Sequence, residues 1–181
     1  MVELSDIVEQ HKRIAKLVES LTGNFVEIGA GTGTLTRIML ERVKETGHMV
    51  YVVDPFEKIE GADPTYFEPY KYTDFLNTIG DLAEFMHLIK KPSQDKSVAE
   101  ELGNINNVAM VFVDGLQTKN EVLSDLYMAE SLKPCVIVVD DVDRLTGSSQ
   151  VPLALKEFKT KYKYINIGKR EGYLCNGVVV A

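Results

Sequence analysis

Three apolar runs in this sequence end in acid. Asp54 closes "HMVYVVD" (48–54), Asp114 closes "AMVFVD" (109–114), and Asp140 and Asp141 close "CVIVVDD" (135–141). A single acid at such a place commonly caps a turn or a following helix. Three runs ending alike point to one shared site, because parallel strands offer ligands their carboxyl ends. A fourth run, "FVEIG" (25–29), leads into "EIGAGTGT", which sets Glu27 two residues before Gly29 and spaces Gly29, Gly31 and Gly33 alternately. Glycines let a backbone turn tightly and approach a ligand closely, and the helix that follows starts with free N–H groups. Asp54 lies 25 residues after Gly29, where an acid can accept both hydroxyls of a ribose.

These residues need a scaffold that carries strand ends to one place. Residues 4–22 hold a helical stripe of Leu4, Ile7, Val8, Ile14, Ala15, Val18 and Leu21, ended by Gly23. His11 falls on that stripe and reads as a half-buried core histidine rather than a ligand. Strands are expected at 25–29, 48–54, 85–89, 109–114 and 135–141, with helices at about 34–46, 73–83, 97–102, 119–132 and 150–162. Two more strands follow at about 163–168 and 174–180. Strands alternating with helices predict an α/β, Rossmann-like doubly wound fold, mainly parallel and seven-stranded, with helices on both faces. The runs are continuous rather than alternating, as strands covered on both faces should be. A single domain over 1–181 follows, with an N-terminal helix (1–22) and a core (23–181). The irregular stretch 55–72 carries Phe56, Tyr66, Phe67, Tyr70 and Tyr72. It is either a lid at the site rim or a loop pinned to the core by its aromatics.

The glycine turn departs from the dinucleotide pattern G-x-G-x-x-G, since Thr34 stands where the third glycine belongs. Glu27 with Gly29, Gly31 and Gly33 instead resembles motif I of class I S-adenosylmethionine-dependent methyltransferases. "KPSQD" (91–95) is similar to the adenine-contacting segment of the catechol O-methyltransferase-like enzymes. "MVFVDG" and "VIVVDD" resemble the metal-ligand strand ends of that group and of the small bacterial "IDGDH…DD" methyltransferases. Val122 and Asp125-Leu126 follow Asp114 in the register of the latter. The resemblance covers about 23–180.

It implies an S-adenosylmethionine site built from Glu27, Gly29, Ala30, Gly31, Gly33, Asp54, Pro55, Ser93, Gln94 and Asp114. It implies Asp114, Asp140 and Asp141 as metal ligands. Carboxylates gathered at one point repel one another, and a hard cation such as Mg²⁺ relieves this. No histidine or cysteine stands in these motifs, so zinc is a poor match. The implied reaction is methyl transfer to a hydroxyl of a small molecule or sugar, with the cation lowering the pKa of the attacking oxygen.

Gln117 breaks the pattern. Relatives carry Lys or His three residues after the first ligand aspartate, and an amide takes no proton at neutral pH. Three readings stay open. The cation alone acidifies an already acidic hydroxyl; Lys119, or a residue of the 142–150 loop, substitutes as base beside Asp114; or the chain is a non-catalytic or partner-dependent S-adenosylmethionine-binding domain. A nicotinamide oxidoreductase is a further alternative, opposed by Thr34. Where relatives often have Pro-Gly-Gly, this chain has "KPC" (133–135), and Cys135 is expected as a buried strand-start residue rather than a nucleophile.

The bulk numbers suit this reading. With 181 residues and 45% hydrophobic content the chain can build a sizeable core. A net charge of −7 argues against general affinity for nucleic acid or anionic membrane. The two cysteines, Cys135 and Cys175, are expected to be free thiols in a reducing compartment. The charged N-terminus is not expected to be a signal peptide, and no apolar run approaches the ~18 residues of a membrane span. A cytoplasmic location is expected, and a homodimer is the assembly that the resemblance implies.

Overall fold

The computed structural model describes residues 4–59, 70–142, 150–166 and 177–180, with side chains from 12 onward and up to 163. His11, Tyr66, Phe67, Cys175 and most of the 142–150 loop lie outside those side chains. The first half runs α1 (Leu4–Ser20), β1 (Asn24–Ile28), α2 (Thr34–Thr46), β2 (Val50–Val53), α3 (Tyr72–Ile79) and β3 (Met86–Ile89). The second half runs α4 (Lys96–Leu102), β4 (Val108–Val113), α5 (Lys119–Ser131), β5 (Val136–Val139), α6 (Val151–Glu157), β6 (Lys163–Asn166) and β7 (Gly177–Val180).

The strands form one sheet in the order β3-β2-β1-β4-β5-β7-β6. The first five are parallel, and β7 pairs antiparallel with both β5 and β6. Every residue of β4 and β5 is buried, whereas β3, at the edge, is mostly not. This matches their apolar runs and the helices that cover both faces. One face packs Ile14 and Val18 of α1, Met39, Leu40 and Val43 of α2, and Phe75 and Ile79 of α3. The other packs Val98 and Leu102 of α4, Val122, Leu126 and Ala129 of α5, and Ala154 of α6. The mainly parallel, Rossmann-like architecture is therefore as expected.

Two helices are shorter than their apolar patterns suggest. The α-helical part of 73–83 stops at Ile79, because Gly80 takes φ 58°, and a 3-10 helix fills Gly80–Phe85. The helix expected over 150–162 stops at Glu157. Phe158 turns to extended backbone there and packs its ring edgewise on Tyr127, 5.1 Å between centroids. Tertiary packing of one aromatic outweighs the local periodicity.

The chain reverses its direction of winding between β1 and β4, which are neighbours in the sheet. That is the topological switch point, where α/β sheets open a crevice beyond the carboxyl ends of their strands. The ends of β1 and β4 touch there, the amide of Asp114 donating to the carbonyl of Ile28 at 2.8 Å.

Candidate active site

The glycine turn owes its shape to three left-handed positions, Gly29 at φ 84°, Gly31 at φ 54° and Gly33 at φ 83°. At Gly29 the constraint is also one of space, since a Cβ would stand 2.1 Å from the carbonyl oxygen of Asp114. The two strand ends come so close only because Gly29 lacks a side chain. A cleft of about 220 Å³ opens on this junction. Glu27, Gly29, Ala30 and Gly31 line it from the β1 side, and Asp114 and Asp140 from the ends of β4 and β5.

Asp54 belongs to the turn as much as to its own strand. Its Oδ2 accepts from the amides of Ala30 at 2.9 Å and Gly31 at 3.4 Å, and its Oδ1 from Phe56 at 2.8 Å. It is 8% exposed, so its carboxylate ties the end of β2 to the turn. Pro55 follows it, buried. Glu27 lies beneath, 1% exposed, with its Oε2 accepting from the Thr36 hydroxyl. Burial pushes its carboxyl up to about 8, against the pull of Thr36 and with a smaller push from Asp54.

Asp114 is held well above the usual carboxylate range, first by burial, then by the charges of Asp140, Asp141 and Glu27. Its hydrogen bond with Gln117 acts in the opposite direction. The Gln117 amide also donates to Asp141 Oδ2 at 2.6 Å. Asp141 is 2% exposed and sits in left-handed backbone at φ 54°, which aspartate tolerates better than most residues. The amide of Asp141 donates to Asp140 Oδ1 at 2.8 Å. Acids from β4 and β5 thus meet, with Gln117 inserted between two of them. Among the described residues no group of three or more histidine, cysteine or acidic side chains is arranged to hold a metal ion.

Other expected residues lie apart from this cleft. Lys119 pairs its ammonium with Glu157 of α6 at 2.9 Å, on an open face. Ser93 and Gln94 sit in the loop after β3 and interact with Asp125 of α5. Cys135 is exposed, which corrects the expectation of a buried residue: β5 begins one position later, at Val136. In the stretch 55–72 the aromatics divide the work. Phe56, Tyr72 and Phe75 cluster, with centroids 4.7 Å apart for Phe56–Phe75 and 5.2 Å for Phe56–Tyr72. They pin the loop. Tyr70 is 57% exposed and lines the cleft, its ring 3.4 Å from where a Cβ on Gly31 would stand. Ile14, Leu35 and Phe112 also line the cleft. Helical stripes and a continuous strand run mark them as core, and nothing local in the sequence separates a cleft wall from a core wall.

A family model described as a methyltransferase domain matches residues 26–142. No curated protein matches the chain. Among solved structures, an O-methyltransferase family protein from Burkholderia thailandensis aligns over 97% of this chain at 13% identity and TM-score 0.59. This chain spans 57% of that protein's length. CalS11, a TDP-rhamnose 3'-O-methyltransferase of calicheamicin biosynthesis, aligns over 98% of this chain and 81% of its own, at 12% identity and TM-score 0.68. TomG from Streptomyces achromogenes, an O-methyltransferase of tomaymycin synthesis in complex with SAM, aligns over 99% of this chain and 81% of its own. Its identity is 14% and its TM-score 0.59. At such identities the structures speak for the fold, while the family model matches the sequence itself across the glycine turn and all three acidic strand ends. The chain belongs to the methyltransferase-domain family.

Proposed function

We propose that the chain is an S-adenosylmethionine-dependent O-methyltransferase acting on a hydroxyl of a small molecule or sugar. The observation that carries this reading is the glycine turn opening on a cleft at the switch point, with buried Glu27 beneath it and Asp54 bracing its amides. In this reading Glu27, Gly29, Ala30, Gly31 and Gly33 take the amino-acid end of the cofactor, and Asp54 and Pro55 the ribose. Ser93 and Gln94 take the adenine, and Asp114 stands beside the reacting methyl. The acceptor hydroxyl gives up its proton to water, its oxygen attacks that methyl in line, the S–CH₃ bond breaks as the O–CH₃ bond forms, and S-adenosylhomocysteine leaves. Much of the rate comes from holding two reactants in line. The acceptor class draws support from CalS11, named as a TDP-rhamnose 3'-O-methyltransferase, and TomG, named as an O-methyltransferase of tomaymycin synthesis.

Mg²⁺ is part of the same proposal. Asp114, Asp140 and Asp141 would hold it. The donors suit a hard cation in kind, being oxygens only and close enough that Asp140 and Asp141 raise the carboxyl of Asp114. In their arrangement the Gln117 amide engages one oxygen of Asp141, Oδ2, and a carboxylate has a second oxygen with which to ligate. A bound cation supplies the charge that lowers the pKa of a nearby hydroxyl.

Titration calorimetry with S-adenosylmethionine, with and without Mg²⁺, tests the cofactor: binding is expected, and none at millimolar ligand sinks the reading. Formation of S-adenosylhomocysteine on incubation with pools of hydroxylated compounds tests the reaction. Gln117 favours a second reading, a non-catalytic or partner-dependent cofactor-binding domain, because its amide takes no proton and is already engaged by Asp141. Turnover would reject that second reading.

A further inference from the structure

Asp125 is a carboxyl in an apolar stripe. It shares the buried face of α5 with Val122, Leu126 and Ala129 and is 0% exposed. Burying a carboxyl is costly unless hydrogen bonds compensate, and here the partners come from the loop after β3. Gln94 Nε2 donates to Oδ1 at 3.3 Å, and the Ser93 hydroxyl bonds the same carboxyl. Gln94 Nε2 also donates to Ser93 Oγ at 2.7 Å. Asp125 Oδ2 has no hydrogen-bond partner among the described residues. A Cβ on Gly115 would stand 3.1 Å from that oxygen, so Gly115, next to cleft-lining Asp114, makes room for the carboxyl. Burial holds Asp125 up at about 7.

These contacts fix which way a planar amide faces. Gln94 turns its nitrogen inward to two oxygens, so its carbonyl oxygen is turned away from Asp125. Gln94 is itself exposed, and a ligand meeting it there meets an acceptor. An acceptor pairs with an exocyclic amine and repels an exocyclic carbonyl. We infer that Asp125 is a positioning residue: by orienting the Gln94 amide it makes the Ser93–Gln94 end of the site select a 6-aminopurine over a 6-oxopurine. This rests on the reading above, in which the base of the cofactor lies at Ser93 and Gln94. An apolar residue at 125 removes the inward acceptor, and the amide then offers either of its ends.

The test is calorimetry with S-adenosylhomocysteine and its 6-oxo analogue, S-inosylhomocysteine. The parent is expected to prefer the amino compound by about tenfold or more, the scale of one oriented hydrogen bond against a repelled one. Asp125→Leu should bring the two affinities within about threefold, and Asp125→Asn, which keeps an acceptor oxygen, should restore the preference. Gln94→Ala, a change at an exposed position, should erase the preference without disturbing the core. The inference is overturned if Asp125→Leu or Gln94→Ala keeps the preference, or if Asp125→Asn loses it. A parent that binds both compounds equally also overturns it while leaving the cofactor reading standing. A parent that binds neither overturns the cofactor reading and this inference with it.

Discussion

Glu27 has almost no contact with water and holds its proton up to about pH 8. Between its ordinary value near 4.5 and about 8, the folded chain binds a proton that the unfolded chain has released. Stability from this residue is therefore fully present below pH 4.5 and is lost as pH rises toward 8 and beyond. Glu27→Gln keeps an oxygen for Thr36 and removes the titration. Urea unfolding from pH 5.5 to 8.5 should show the parent losing on the order of a few kcal/mol relative to this variant; parallel curves would mean that Glu27 ionises freely in the folded state. Gln117 teaches a related lesson. Its identity already excludes a base. Its bond to Asp141 appears only when residues 24 positions apart in sequence are brought together.

At the level of elements, the two strand-to-helix junctions behave differently. The turn between β1 and α2 is specified locally, since glycines at alternate positions permit left-handed backbone that other residues resist. The junction between β4 and α5 is specified by what packs on it. There Lys119 opens α5 and leans across to Glu157 of α6, an exposed pair. Such pairs contribute ~0–1 kcal/mol, and this one turns the ammonium toward α6. Lys119→Met should therefore leave kcat within about threefold at pH 7.5. A drop of about a hundredfold, the scale of a lost general base, would restore Lys119 to the chemistry.

On the scale of the whole molecule, the site exists because the sheet changes winding direction between β1 and β4. A ligand bridging these strand ends, β2 and the loop after β3 joins segments from Glu27 to Asp140. Binding to the folded chain alone should stabilise it globally. S-adenosylhomocysteine at about a hundred times its Kd adds ~2.7 kcal/mol, which for a chain of this size corresponds to ~5–10 °C in Tm. Differential scanning calorimetry checks this, and an unchanged Tm at saturation would contradict a site formed from so many segments. Among the described residues no helix is long and apolar enough to cross a membrane.

Nearly every element was legible in the sequence, because burial on both faces writes continuous apolar runs and solvent writes helical stripes between them. The glycine turn and the acidic strand ends were legible too, as local chemistry at the ends of those runs. Four features were not. Asp54 bracing the glycine turn, Gln117 bonded to Asp141, Lys119 drawn to Glu157, and Asp125 under Ser93 and Gln94 each join residues that lie 23 to 38 positions apart. Residue type states what a side chain can donate or accept. Which partner it meets depends on sheet order and helix placement, and these follow from burying both faces of the sheet at once.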